Sequence, residues 1–385
     1  MESRAGLEGV VVTTSGITDV DGEAGRLYYR GYGIEDLAER ASFEEVAFLL
    51  MEGELPSAAA LAAFRDGLAG LRVTPAWLDS FMTGVPVAAH PLAVLRAAVA
   101  IDALVAGDVE PGDAEATRRA GLRMIALFPI VVAAWARRRR GLDPVAPAAG
   151  LDHAPNFLWM LHGVEPSAEG ARALDVALVL HADHEFNAST FAARVAAGTE
   201  ADLHSALVAA LATLKGPKHG GANEDVVQML DEVGAPERAA DWVAKKIVWR
   251  ETLAPEERQS IRARFPGFGH RVYKVEDPRA RHLREMARRL AEEQGYAGDF
   301  ETAEAVRAAL EEARGLKVNV DFYSALVYRA LGIDPDLCLA IFAIARVAGW
   351  VAHFEEQLGN NRLIRPRSEY VGPAPRPFPA VPASA

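Results

Sequence analysis

Apolar residues recur at helical spacing over most of the chain, which predicts helices that each bury one face. Ser42 and Glu45 have the spacing of a capping box, which starts a helix that ends before Gly53. Pro129 predicts a kink in the longest apolar helix. Further helices are predicted over 57–73, 92–105, 115–140, 167–184, 188–197, 200–215, 222–232, 236–250, 277–295, 300–313, 320–331 and 335–358.

The N-terminal region has a different pattern. Residues 10–14 form a short β-branched run, and Gly22 and Gly25 precede the apolar residues 27–29. Runs of this kind, bounded by glycines, are typical of strands. We therefore expect an all-α fold with a minor N-terminal β-ribbon.

The composition changes near residue 220. From there to about residue 330 the predicted helices are shorter and more charged, and apolar helices then return. We expect a small helical domain, 221–330, inserted into a large helical domain formed by 1–220 and 331–385, with a cleft between them.

Charge and cysteine usage restrict the class of protein. The chain has 41 Lys and Arg against 53 Asp and Glu, a net charge of −12, which argues against binding to nucleic acid or an anionic membrane. Cys338, the single cysteine, lies in an apolar run and is interpreted as a buried residue of a reduced protein. No apolar signal core is present at the N-terminus, and the longest apolar run, 124–135, is too short to cross a bilayer. We expect a cytoplasmic protein.

Two motifs have plainer explanations than the functional ones they suggest. The basic run 137–140 is interpreted as a solvated helix C-terminus rather than a phosphate site. His181, Asp183 and His184 offer potential metal ligands, but no further carboxylate–histidine motif accompanies them. Hydrogen bonding to a substrate or a structural role is favoured, and no metal is predicted.

Two histidines lie in glycine-rich turns. His219 follows Gly216 and Pro217, and it precedes two glycines and a helix start, where a neutral imidazole that donates to a carbonyl is favoured. His270 follows the glycine-containing loop 266–269, and the cations Arg271, Lys274 and Arg279 come soon after it. Because glycines let backbone N–H groups approach an anion, this second segment predicts an anion site. Asp277 is expected to cap the helix that follows.

Asp321 and a set of arginines complete the candidate chemistry. Asp321 lies between Val320 and Phe322, where a raised pKa would suit a general base, although for this residue taken alone a cap of the following helix is the favoured explanation. Arg346 interrupts an apolar helix and needs a carboxylate partner, either internal or from a substrate. A late basic cluster would suit a di- or tricarboxylate, and it contains Arg362, Arg365 and Arg367.

These segments resemble the citrate synthase family, which includes the 2-methylcitrate synthases. The resemblance covers nearly the whole chain and is to the compact dimeric type. The segment from Lys245 to His270 is longer than expected for that type, and the extra residues fall just before the loop 264–268 that would line coenzyme A. The matching segments are LYYRGYGIEDLAE, HADHEFNAS, GPKHGGANE, GFGHRVYK with DPR, NVDFYS, ARVAGW and NNRLIRPRSEYVGP.

The resemblance implies roles for the three segments. His219 would donate to the thioester carbonyl of an acyl-CoA, Asp321 would remove the α-proton, and His270 would polarise the 2-oxo carbonyl of oxaloacetate. Hydrolysis of the CoA thioester would then release CoA and a tricarboxylate, a reaction of the tricarboxylic acid cycle. No tightly bound cofactor is implied, because the acyl-CoA is a co-substrate.

The resemblance also implies binding residues. Arg365 would reach the site from the second subunit of a homodimer. The small domain would form the CoA side of the cleft. Oxaloacetate would be bound by His184, Asn187, Arg279 and Arg346. Coenzyme A would be bound by Arg264, Phe265, Pro266, Gly267, Phe268, Arg271 and Lys274.

Three functions remain open from the sequence. A citrate synthase would use acetyl-CoA, and a 2-methylcitrate synthase would use propionyl-CoA; the sequence does not separate them, since they differ by one methylene. The third is a non-catalytic relative that binds CoA or a carboxylate. The joint presence of His219, His270 and Asp321 argues against it.

Overall fold

Helices dominate the protein. The computed structural model describes residues 5–7, 9–107, 109, 112–220, 222–260 and 263–377. In chain order the helices of these residues are α1 (Ile34–Arg40), α2 (Phe43–Glu52), α3 (Ala58–Leu71), α4 (Ala76–Thr83), α5 (Pro91–Ala106), α6 (Ala114–Arg138), α7 (His153–His162), α8 (Ala168–His181), α9 (Ala188–Gly198), α10 (Leu203–Leu214), α11 (Ala222–Val233), α12 (Ala239–Thr252), α13 (Ala280–Gln294), α14 (Ala297–Arg314), α15 (Val320–Ala330) and α16 (Cys338–Gly359).

Every helix predicted from the sequence is present, with ends displaced by a few residues. The capping box at the start of α2 is formed: Ser42 Oγ accepts the Glu45 N–H at 3.3 Å, and the Glu45 carboxylate accepts the Ser42 N–H at 2.8 Å. Helix α6 continues through the buried Pro129. Local capping and periodicity therefore predict the long helices well.

The sequence analysis missed three short helices, α1, α4 and α7. None of them has a side-chain hydrogen bond at its N-cap, so they lack a local start signal. At α7 the cap comes from another helix, because the His153 N–H donates to Glu44 Oε1 of α2 at 2.6 Å. A contact with another helix therefore supplies the hydrogen-bond acceptor that the local sequence of α7 does not provide.

The β-ribbon is real, but its first strand lies later than predicted. Strands β1 (Thr18–Asp21), β2 (Arg26–Tyr29) and β3 (Tyr32–Gly33) form an antiparallel sheet in that order, with Thr18 opposite Tyr29. Residues 10–14 are not in a strand, and Val11 is 86% exposed. A β-branched run without a partner strand or a buried face does not form a strand, whereas β2 buries Leu27 and Tyr29 completely.

Helix α16 is the central element of the core. It packs against α2, α6, α8 and α9. In the later part of the chain α11 and α13 pack on α15, and α12 packs on α14. Cys338, the first residue of α16, is buried as predicted. Helix α6 and the stretch Pro335–Gly359 are long and apolar enough to cross a membrane, but both are mostly buried within the fold, as core helices are.

The basic run at the end of α6 is more structured than the predicted solvated end. Arg139 forms ion pairs with Asp334 and Asp336, and Arg140 pairs with Asp334 at 2.5 Å. These pairs tie the C-terminus of α6 to the segment that leads into α16.

Candidate active site

The loop that carries His270 is tied to the segment that leads into Asp321. The Gly269 N–H donates to the Lys317 carbonyl at 2.8 Å, and the Asn319 N–H donates to the Gly267 carbonyl at 2.9 Å. A β-bridge joins Phe268 to Val318. Because α15 begins directly after this bridge, the loop and the start of α15 form one unit.

Gly267 is required by this arrangement. Its φ is +76°, and a Cβ there would lie 2.8–2.9 Å from side-chain atoms of Phe322 and Val226. Gly269 has the same φ of +76°, but a Cβ there would meet nothing within 4 Å. The two glycines thus have the same positive φ, and the space around them differs.

We expect Gly267→Ala to lower the free energy of unfolding by about 1–3 kcal/mol more than Gly269→Ala, because only the first substitution overpacks the loop. Chemical denaturation of both variants measures this difference. Equal effects from the two substitutions would show that the backbone conformation, and not the close packing, is what matters.

His219 is held by the first turn of α9. Its Nε2 accepts the Ser189 N–H at 3.2 Å and lies 2.8 Å from Ser189 Oγ. Since a backbone N–H can only donate, the neutral ring carries its proton on Nδ1. Burial, and then the charge of Arg346, lowers the pKa of His219 to about 4. The imidazole is therefore a neutral donor near pH 7.

Asn187 supports Ser189 as the N-cap of α9. Its Oδ1 accepts the N–H groups of Ser189 and Thr190 at 3.1 Å each, and it lies 2.8 Å from Ser189 Oγ. Its Nδ2 donates to Thr190 Oγ1 at 3.0 Å. The contacts of Asn187 are thus those of a cap, and its predicted contact with a substrate stays a prediction.

His270 has the opposite tautomer. Its Nδ1 accepts the N–H groups of Val272 and Tyr273, each at 3.1 Å, so its proton lies on Nε2. Burial, and then the charge of Arg279, lowers the pKa of His270 to about 4. This residue, too, is a neutral donor near pH 7.

His184 lies beside His270. The two ring centroids are 5.3 Å apart, and His184 Nε2 forms a hydrogen bond of 3.1 Å with Tyr273 Oη. Burial, and then Arg279, holds the pKa of His184 well below its usual range. The sequence analysis missed Tyr273, for which the only signal was its place in the GHRVYK segment.

Arg279 is buried in an ion pair with Asp277. Its Nε and Nη2 donate to the two carboxylate oxygens at 2.9 and 2.7 Å. Asp277 also accepts the Val320 N–H at 3.1 Å, which connects this pair to the start of α15. The predicted cap is corrected here: α13 begins at Ala280 with Arg279 as its N-cap residue, and Asp277, two residues earlier, accepts the Arg279 N–H at 3.1 Å.

Arg346 is buried without a carboxylate partner. It is 1% exposed, its Nε donates to the His181 carbonyl at 2.7 Å, and its guanidinium lies 4.4 Å above the Phe342 ring. No ion pair joins it to a carboxylate among the residues that the structure describes. Burial lowers the pKa of Arg346 to about 10. A buried cation of this kind favours the binding of an anion.

Asp321 is not the cap of α15, which removes the structural alternative. The cap is Asn319, whose Oδ1 accepts the Asp321 N–H at 3.0 Å. Burial raises the pKa of Asp321 to about 6; the charge of Arg279 opposes this rise and that of Asp277 adds to it. The charges of Arg279 and Arg346 both lower the pKa of Asp321, so the two guanidinium groups lie in its neighbourhood.

The structure leaves several predicted residues outside this cluster. Arg365 is exposed in the segment that follows α16. In the predicted CoA loop Phe265 is buried against Trp242, with ring centroids 6.4 Å apart. Pro266 is half-buried beside it, and the side chains of Arg264, Arg271 and Lys274 are exposed. Gly221, which follows the His219 turn, lies outside the described residues.

The three potential metal ligands have separate partners. His181 Nδ1 bonds to the Ala177 carbonyl at 2.6 Å, and Asp183 Oδ2 accepts from Thr18 Oγ1 at 2.6 Å and from His353 Nε2 at 3.1 Å. His184 bonds to Tyr273. Within the described ranges no group of three such side chains converges as metal ligands would.

Comparison with known proteins identifies the family of the chain. The family model described as "Citrate synthase, C-terminal domain" matches residues 6–367. The chain belongs to the citrate synthase family. Citrate synthase 2 of Bacillus subtilis (strain 168) is 43% identical to this family member over 379 residues, 98% of each chain. The 2-methylcitrate synthase of Mycobacterium tuberculosis (strain H37Rv) is 39% identical over 376 residues, 98% of this chain and 92% of the relative.

The fold of this citrate synthase family member also matches a solved complex. The citrate synthase of Thermoplasma acidophilum, in a ternary complex with carboxymethyl coenzyme A and oxaloacetate, has a TM-score of 0.90 at 32% identity over 99% of both chains. These comparisons confirm the predicted family, the all-α fold class and the prediction of an acyltransferase of the citrate synthase type.

Proposed function

We propose that this enzyme condenses acetyl-CoA with oxaloacetate and hydrolyses the resulting thioester to citrate and CoA. The observation that carries the proposal is Asp321, a carboxylate with a raised pKa, near the charges of Arg279 and of Arg346, which has no carboxylate partner in the described part of the chain. The histidines near these arginines are neutral donors. This combination suits the removal of a weakly acidic proton next to a bound dianion.

Oxaloacetate binds first in this mechanism. Arg346, with no carboxylate partner among the described residues, receives one substrate carboxylate, and Arg279, held in place by Asp277, receives the other. His184 adds a neutral contact between them. The substrate then neutralises a charge that the empty protein leaves unpaired.

The acetyl group becomes a nucleophile between His219 and Asp321. Asp321 takes a proton from the methyl carbon while His219 Nδ1–H hydrogen-bonds to the thioester oxygen, which gives a stabilised enolate. The enolate carbon attacks the 2-oxo carbon of oxaloacetate, and His270 Nε2–H hydrogen-bonds to the oxygen that becomes an alkoxide. The alkoxide becomes the hydroxyl by gaining a proton, which balances the one that Asp321 removed. Water then cleaves the thioester, and citrate and CoA leave.

Coenzyme A is proposed to lie along the loop of residues 264–268. Backbone groups of the loop would contact coenzyme A, and Arg264, Arg271 and Lys274, which are exposed, would lie near its phosphates. Acetyl-CoA is a co-substrate here and not a resident cofactor.

We also propose a homodimer in which Arg365 of each chain completes the other chain's site. The exposure of Arg365 in the single chain supports this role. Helices α11 to α15 would form the small domain, which is supported by the packing of α11 and α13 on α15. Closure of this domain would exclude water before condensation. A cytoplasmic location stays a prediction.

The experiment that tests this function follows free thiol release with oxaloacetate and either acetyl-CoA or propionyl-CoA. We expect release with both, and a higher kcat/KM for acetyl-CoA. A higher kcat/KM for propionyl-CoA would instead identify a 2-methylcitrate synthase. No release with either would overturn the enzymatic proposal and favour a non-catalytic binding protein.

A further inference from the structure

We propose that Tyr273 is a positioning residue for the oxaloacetate half of the site, and that its hydroxyl acts by fixing the ring of His184. This inference rests on the proposed function, because it assigns a purpose to a residue next to the proposed oxaloacetate ligands.

Tyr273 contacts both histidines on this side of the site. Its Oη lies 3.1 Å from His184 Nε2, and its backbone N–H donates to His270 Nδ1 at 3.1 Å. The ring centroid of Tyr273 is 4.6 Å from that of His270 and 5.5 Å from that of His184. One residue therefore orients two imidazoles, one through its backbone and the other through its side chain.

The Tyr273 hydroxyl is buried and depends on this hydrogen bond with His184. Tyr273 is 3% exposed, and a buried phenol needs a partner for its O–H. Among the described residues that partner is His184. Burial raises the pKa of the Tyr273 phenol, so it keeps its proton, while His184 is neutral. The phenol thus donates to Nε2, which places the imidazole proton on Nδ1.

A fixed His184 has a consequence for binding. The imidazole lies beside His270, with ring centroids 5.3 Å apart, so a rotated ring would bring a lone pair or an apolar edge toward a carboxylate bound there. A ring held in one orientation and one tautomer always presents the same edge to the substrate. Less conformational entropy is therefore lost when the substrate binds. The phenol should therefore influence the affinity for oxaloacetate and leave that for the acyl-CoA unchanged.

Tyr273→Phe isolates the hydroxyl, since it keeps the ring and the backbone N–H to His270. We expect the KM for oxaloacetate to rise roughly 3- to 10-fold, the range of one neutral hydrogen bond. The kcat and the KM for acetyl-CoA should change less than about 2-fold on the same reasoning.

Tyr323→Phe is the matched control. Tyr323 is equally buried, and its hydroxyl donates to Glu304 Oε1 at 2.5 Å, away from the two histidines. It should leave the KM for oxaloacetate unchanged. If Tyr273→Phe left that KM unchanged, or if both variants raised it equally, the positioning role would be wrong.

A double-mutant cycle tests whether Tyr273 acts through His184. In a His184→Asn background, the further change Tyr273→Phe should have no additional effect on oxaloacetate binding. A full additive effect would mean that Tyr273 acts by another route. Binding is read as the rise in unfolding temperature caused by oxaloacetate, which needs no turnover. If the wild-type protein bound oxaloacetate but released no thiol, the proposed function would be wrong. The role of Tyr273 in oxaloacetate binding could still be tested by the same binding measurement.

Discussion

Asp321→Asn should lower kcat by about 10²- to 10⁴-fold, the usual contribution of a general base. The amide keeps the shape of the side chain but cannot accept the methyl proton. The fold should remain, because Asp321 makes its hydrogen bonds with Asn319, Asn223 and Ser324 through its backbone N–H and carbonyl. Steady-state kinetics and thermal unfolding of the variant measure both effects, and a variant with full turnover would remove Asp321 from the mechanism.

The same residue predicts the pH dependence of the wild-type enzyme. Because Asp321 acts as a carboxylate and its pKa is raised to about 6, kcat/KM should fall as the pH drops through about 6. His219 and His270, whose pKa values are lowered to about 4, stay neutral over that range. A pH profile of kcat/KM that stays flat down to pH 5 would contradict a base with this pKa.

Asp321→Asn also allows a test of whether Arg365 reaches the site of the other subunit. If Arg365 crosses the dimer interface, a mixed dimer of Asp321→Asn and Arg365→Ala subunits contains one site with both native residues. Mixing the two inactive variants, with subunit exchange, should then restore part of the activity. No restoration after demonstrated exchange would place Arg365 in its own chain's site or outside the site altogether.

Arg346→Met should abolish oxaloacetate binding and yet stabilise the empty protein. The guanidinium is desolvated without a carboxylate partner among the described residues, and its pKa is lowered to about 10. A pKa lowered from 12.5 to about 10 corresponds to about 3 kcal/mol against the charged form, as an upper estimate. A methionine of similar length removes this charge from the core.

Arg279→Met is the matched control, with the opposite expected effect on stability. It should also abolish oxaloacetate binding, but it leaves Asp277 buried without its bidentate partner. Loss of one member of a buried pair costs about 3–5 kcal/mol. Denaturation of both variants without substrate should therefore shift in opposite directions. A destabilised Arg346→Met would mean that Arg346 has a structural role in the empty protein.

Much of the fold is determined locally. Helices with capping residues and regular apolar spacing, such as α2 with Ser42 and Glu45, have their causes within one segment of sequence. Helix α7 does not, because its first N–H is capped by Glu44 from another helix. The run at 10–14 shows the converse: its residues favour a strand, but a strand also needs a partner, which lies elsewhere.

The sequence by itself determined which segments carry the chemistry, since glycines around His219 and His270 and a carboxylate among apolar residues at Asp321 are local features. Only the tertiary structure decided the state of each group. The tautomer of His219 depends on Ser189, thirty residues away. The contrast between a paired Arg279 and an unpaired Arg346, and the contact of Tyr273 with His184, depend on distant segments packing together. Proton positions and charge pairing are set by these neighbours in space, which spacing along the chain does not encode.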